Sequence, residues 1–193
     1  MNKNKIVWVM GQSAAGKDTF IQYAVNKPDS ELIQKLGYSN YKIIPISDNY
    51  GRKEISFNYH DRIKIMDIVL DFLKKETNAA IFIKWQFVDN DEHADVIRKL
   101  KDATPDIPNE MIMLSVDSDV LYARLPNKWW WNESTSSTQE QEQMNDVVKI
   151  LRYNIMRWQC LGLKFTAEID ATDGYKIIEN SELKYERNIS HER

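Results

Sequence analysis

Nine residues limit this chain more than any others: Gly11-Gln12-Ser13-Ala14-Ala15-Gly16-Lys17-Asp18-Thr19. They stand between a continuous apolar run, Ile6-Val7-Trp8-Val9-Met10, and a helical pattern carried by Phe20, Ile21 and Ala24. An apolar run without alternation suits a central parallel strand covered on both faces. Two glycines at this spacing permit a tight loop, and the helix that follows turns its N-terminal amides and dipole toward it. Strand, loop and helix together make a cradle for phosphate. Gly11, Ser13, Ala14, Ala15 and Gly16 supply backbone donors, and Lys17 reaches the β- and γ-phosphates. The alternative is an accidental glycine turn with a surface lysine, and the flanking strand and helix argue against it.

The rest of the chain repeats the same alternation. Lys42 to Ile46 is a second short strand. Asn58 or Asp61 caps a helix with Ile65, Met66, Val69, Leu70 and Leu73 on one face, ending near Thr77-Asn78. Ala79 to Ile83 is a third strand, and a polar helix spans Asp91 to Ala103 before Pro105 and Pro108. Met111 to Val116 is the fourth strand, followed by a short helix from Asp119 to Leu125. Lys128 to Thr138, with Trp129-Trp130-Trp131 and a Ser/Thr cluster, is a loop or lid. Ser137-x-x-Glu140 is a capping box opening a long helix that carries Met144, Val148, Leu151, Ile155 and Trp158 and ends at Gly162. Phe165 to Ile169 is a last strand. Alternating strands and helices imply right-handed crossovers and a parallel sheet with helices on both faces. Ligands then bind at the carboxyl ends of the strands.

Composition removes other classes. With 193 residues, the chain makes about one domain. A hydrophobic content of 42% excludes a wholly disordered chain. No apolar run approaches the ~20 residues needed to cross a bilayer. The basic Met1 to Lys5 and the short run behind it make no secretion signal, and the single Cys160 fits a reducing cytosol, so a cytoplasmic location is expected. A net charge of −3 gives no global attraction to nucleic acid, although a local basic groove is allowed. His60, His93 and His191 lack metal-ligand spacing, and no zinc site is expected.

The glycine loop resembles that of the nucleotide-kinase branch of the P-loop proteins. The usual pattern places Ser or Thr directly after the lysine; here Asp18 stands there and the hydroxyl follows in Thr19, much as adenylate-kinase members carry Gly-Lys-Gly-Thr. The resemblance implies that Thr19 holds the α-phosphate and that magnesium is held largely through water. Asp18 either helps to hold hydrated Mg2+ or is a first-turn acid favoured by the helix dipole. Ser47-Asp48-Asn49-Tyr50-Gly51-Arg52 looks like the Asp-Asn-x-x-Arg segment after the second strand of small hydroxyl-phosphorylating kinases, and like the Asp-Asp-Tyr-Arg of polynucleotide kinases. It implies that Asp48 accepts the acceptor's proton and Arg52 binds the acceptor; a plain turn is the competing view. Arg124-Leu125-Pro126-Asn127-Lys128 resembles the lid entry of nucleoside monophosphate kinases and gluconate-kinase-like enzymes, which implies that Arg124 and Lys128 neutralise the transferring phosphoryl group. Asp170-Ala171-Thr172 resembles the segment lying along the adenine, which implies ATP contacts from Asp170 and Thr172.

Lys84 and Gln86, at the end of the third strand, are candidates for orienting the acceptor, with Lys84 as a surface charge the alternative. Trp129 and Trp130 are candidates for stacking on a base or substrate. No Asp ends the third strand early enough to serve as a second magnesium carboxylate.

The expectation is therefore an α/β chain. It has a three-layer α/β/α P-loop NTPase fold, a central parallel sheet of about five strands and a lid at about 126–138. Residues 1–180 form a single kinase domain, and 181–193 a charged tail. Expected cofactors are ATP and Mg2+. Expected partners are ATP and a small-molecule or nucleic-acid acceptor, with a homodimer compatible and no membrane. The expected activity is transfer of the γ-phosphate of ATP to a nucleoside, nucleotide or nucleic-acid-linked group. Alternatives are a kinase for a hydroxyl in DNA or RNA, a kinase for a small sugar or antibiotic, and a non-catalytic NTP-binding module.

Overall fold

A computed structural model describes residues 4–11, 14–46, 59–85, 91–124, 162–179 and 181. Its elements are β1 (Lys5–Gly11), α1 (Lys17–Asn26), α2 (Glu31–Lys35), β2 (Lys42–Ile46), α3 (Tyr59–Lys75), β3 (Ala79–Lys84), α4 (Asp91–Ala103), β4 (Asn109–Ser115), α5 (Ser118–Arg124), β5 (Lys164–Asp170) and β6 (Lys176–Ile177). The strands form one sheet in the order β2-β3-β1-β4-β5-β6. Pairings among β1 to β5 are parallel, and β6 runs antiparallel to β5. The sheet thus has six strands where about five parallel ones were expected. The extra strand is two residues long and exists only through its pairing with β5.

Side chains of alternate residues leave opposite faces of a strand, and here both faces are covered. Val7, Val9, Ala80, Phe82, Ile112, Leu114, Ala167 and Ile169 pack with Phe20, Ile21 and Ala24 of α1 and Ile33 of α2. Ile6, Trp8, Met10, Ile81, Ile83, Met111 and Met113 pack on the other side with Ile65, Val69 and Leu73 of α3 and Val96, Ile97 and Leu100 of α4. These two cores make a three-layer α/β/α fold. Each fully buried aliphatic or aromatic side chain contributes about 1.5–3 kcal/mol relative to exposure. Burial on both faces is why β1, β3 and β4 carry unbroken apolar runs rather than alternating ones.

The helices keep to the expected faces, with small differences at their ends. In α1 the buried positions are Lys17, Phe20, Ile21 and Ala24, a single helical stripe. α3 already begins at Tyr59, which puts Asp61 inside the helix rather than at its cap. α4 has the expected limits, whereas Val116 falls beyond the end of β4. α2 was not foreseen: it is five residues long with one buried side chain, Ile33, too short to show a period. Gly162 has φ +80°; the long helix expected before it and the lid expected at 126–138 lie outside the described residues. At the far end Ser181 is buried and donates to Glu168, so the packed body includes it.

The chain leaves neighbouring strands toward opposite faces. β1 feeds α1 on one face, and its neighbour β3 is followed by α4 on the other. A crevice opens where such connections diverge at the carboxyl ends of the strands. The glycine loop stands at that place.

Candidate active site

Gly11 ends β1 with φ +146°, and a Cβ there would lie 2.7 Å from the carbonyl oxygen of Leu114 on β4. Only glycine lets β1 approach β4 so closely while turning into the loop. Ala14 (φ +65°) and Gly16 (φ +84°) are also left-handed, and Gly16 is the N-cap of α1 with no side-chain cap. Left-handed residues alternating with right-handed ones curl backbone amides into an anion-binding concavity, and an alanine held at positive φ is strain of the kind found at ligand clamps. Among the described residues, the strand before the motif and the helix after it are both present.

Lys17 is buried, and its Nζ donates to the Gly11 carbonyl at 2.8 Å. The ammonium is thereby folded back over the loop. Asp18 Oδ2 lies 2.7 Å from Lys84 Nζ, while Asp18 Oδ1 is buried with no hydrogen-bond partner among the described residues. Thr19 is exposed. Lys84 sits at the end of β3, and the pairing of Val9 with Lys84 sets it beside the loop.

A second cluster lies at the carboxyl end of β5. Arg124 Nη2 donates to the carbonyls of Ala171 and Thr172 at 3.3 and 3.2 Å. The Thr172 hydroxyl accepts from the Asp117 amide at 2.9 Å, and the Thr172 amide donates to Asp170 Oδ1 at 2.9 Å. That amide, then the Thr172 hydroxyl, holds the Asp170 carboxyl below its ordinary range. Tyr175 packs at 5.2 Å on both Phe20 and Tyr23 of α1, and burial pushes its phenol up against the opposing pull of Arg124. This turn is thus tied both to α5 and to the helix that follows the phosphate loop.

Gly11, Ala14, Ala15, Gly16, Lys17, Asp18, Thr19 and Lys84 are therefore gathered at one end of the sheet, with Arg124, Asp170 and Thr172 in the β5 cluster. Ser13, Asp48, Arg52, Gln86, Lys128, Trp129 and Trp130 lie outside the described residues. Two features were not foreseen. The Asp18–Lys84 pair joins residues far apart in sequence, and only the strand order brings them together. Tyr175 belongs to a turn with no helical or strand period to mark it.

A metal would find few protein ligands here: among the described residues no three His, Cys, Asp or Glu side chains are grouped to hold one. Mg2+ in nucleotide sites relies on one or two carboxylates plus the phosphates themselves. Asp18, whose buried Oδ1 has no donor among the described residues, fits that need. Among the described residues no helix is long and apolar enough to cross a membrane.

No protein-family model matches the chain, and no curated protein matches it in sequence. Similar solved structures include that of APE1195, with 19% identity, TM-score 0.44, and 65% of this chain and 68% of that chain covered. A shikimate kinase from Bacteroides thetaiotaomicron matches with 15% identity and TM-score 0.43, covering 86% of each chain. A sugar kinase from Janibacter sp. HTCC2649 matches with 14% identity and TM-score 0.39, covering 74% of this chain and 76% of that one. With TM-scores below 0.5, none of these likenesses bears on function.

Proposed function

We propose that this chain is an ATP- and Mg2+-dependent phosphotransferase acting on a nucleoside, nucleotide or nucleic-acid-linked acceptor. The observation that carries the proposal is the glycine loop, with its left-handed Ala14 and Gly16 and with Lys17 buried at the first position of α1. Such a loop binds a polyphosphate because its amides and helix terminus converge where negative charge must sit. Lys17 exchanges its contact with the Gly11 carbonyl for the β- and γ-phosphates, and Thr19 holds the α-phosphate. Bound Mg2+ supplies charge neutralisation at the phosphates, and Asp18 and Thr19 are the residues that would hold it, in part through water.

The two hydrogen bonds from Arg124 to the β5 turn keep its guanidinium there, which favours an ATP-binding role, with Asp170 and Thr172, over a catalytic one. Asp48 takes the proton of the attacking hydroxyl as the acceptor oxygen bonds to the γ-phosphorus and the β–γ bridging oxygen leaves with ADP. Arg52 and Gln86 bind the acceptor, Trp129 and Trp130 stack on it, and Lys128 neutralises the transferring group. Phosphoryl transfer depends mainly on such positioning and charge.

The test begins with ATP affinity and acceptor-dependent ADP release across nucleosides, monophosphates, oligonucleotides and sugars. Lys17→Ala is expected to weaken ATP binding sharply. Asp48→Asn is expected to keep ATP binding and, for a hydroxyl acceptor, to lose about 10²–10⁴-fold in turnover. Equally poor ATP binding by wild type and Lys17→Ala would refute the proposal.

A further inference from the structure

We propose that Asp18 and Lys84 form a metal-positioning pair, in which Lys84 holds one carboxylate oxygen of Asp18 and so presents the other to the Mg2+ that accompanies ATP. This inference rests on the phosphotransferase reading above. In P-loop NTPases a neutral hydroxyl directly after the lysine and a separate aspartate share the metal. Here an acid takes the first place, and β3, the strand beside β1, ends in a cation.

The two departures compensate each other in charge. A carboxylate at the mouth of a phosphate cradle repels the triphosphate unless a cation offsets it, and Lys84 does so at 2.7 Å. The contact takes only Oδ2. Oδ1 is buried and has no donor among the described residues. A buried carboxylate oxygen without a donor is costly, and a metal ion or its hydration water, admitted by a small rotation of the carboxylate about its contact with Lys84, removes that cost. Position agrees with this: Lys84 follows Ala80 and Phe82 in the alternation of β3, so it leaves the sheet on the face that carries α1, where Asp18 stands in the first turn. Lys84 is thus a positioning residue acting through Asp18 rather than a surface charge or an acceptor ligand. The competing view is that the ion pair only fastens α1 to β3.

The experiment measures ATP dissociation constants with Mg2+ and with EDTA, and takes their ratio as the metal-dependent gain. Melting temperatures without ligand are recorded in parallel. Asp18→Asn is expected to lose ~10-fold or more of the gain, within the range seen when the supporting groups of metal sites are removed. Lys84→Met is expected to lose part of it and Lys84→Arg to retain it. In an Asp18→Ser background, which restores a neutral hydroxyl, Lys84→Met is expected to change the gain no further. Mn2+ in place of Mg2+ gives a second readout, since its spin-resonance spectrum in the ATP complex should differ between wild type and Asp18→Asn. A gain that is the same in Asp18→Asn, Lys84→Met and wild type, with lowered melting temperatures alone, overturns the assignment and leaves ATP binding intact. A wild type that binds ATP under neither condition overturns the phosphotransferase reading as well.

Discussion

Replacing Gly11 with alanine isolates the closest backbone approach in the site. Two costs add. Alanine at φ +146° lies outside the regions open to an L residue, and such backbone strain costs about 1–3 kcal/mol. Its Cβ would also stand 2.7 Å from the Leu114 carbonyl oxygen and 3.2 Å from the Leu114 Cβ. The oxygen belongs to the backbone of β4, so no side-chain rotation relieves the clash, and overpacking of this kind costs about 1–3 kcal/mol more. The sum, about 2–6 kcal/mol, is a large share of the ~5–15 kcal/mol that holds a typical domain folded. For a chain of this size that corresponds to a fall in melting temperature of roughly 5–20 °C. Gly37→Ala is the control: Gly37 has φ +80° with nothing within 4 Å of an added methyl, so it bears only the left-handed cost of about 1–2 kcal/mol. Urea denaturation of both variants, with slopes compared to wild type, measures the difference. If Gly11→Ala is no less stable than Gly37→Ala, close approach of the two strands does not set the cost at Gly11.

Two further outcomes follow from polar groups. Tyr38 donates to Glu110 Oε2 at 2.7 Å, with Lys5 on Oε1 at 2.9 Å; burial and then the Glu110 carboxylate push the Tyr38 phenol well above its ordinary value. Tyr38→Phe keeps the ring on Phe82 but strips one buried carboxylate oxygen of its donor, so urea melts should show a loss of about 1–3 kcal/mol; an unchanged midpoint would contradict this. Asp170 has its folded pKa lowered, so its contribution to stability is complete above the ordinary 3.8 and is lost as pH falls from there through the lower folded value. Asp170→Asn should therefore lower the melting temperature near neutrality and flatten the acid limb of the profile, converging on wild type below pH ~4, and an acid limb identical to wild type would count against it.

The parts of the fold that were legible in the sequence are those that follow a local rule. β1, β3 and β4 announce themselves as apolar runs because both of their faces are buried, and α4 is bounded by an acid at one end and by Thr104 before Pro105 at the other. α2 and β6 follow no such rule. Ile33 alone anchors α2, and β6 exists because Ile169 and Asp170 pair with Ile177 and Lys176. In the site, the run from Gly11 to Thr19 was readable as a candidate phosphate loop because phosphate binding needs contiguous backbone. The Asp18–Lys84 contact was not, since it depends on β3 lying beside β1, and strand order leaves no mark on either residue.

The two ends of the sheet carry a consequence for how copies of this chain can meet. At one margin β2 holds Pro45, which has no amide hydrogen to offer an incoming strand. At the other, β6 is two residues long, too brief a template to recruit a partner's backbone. Both margins of the described sheet are thus poor templates for edge-to-edge addition, and neither offers a long ladder of free amides for a second copy to extend.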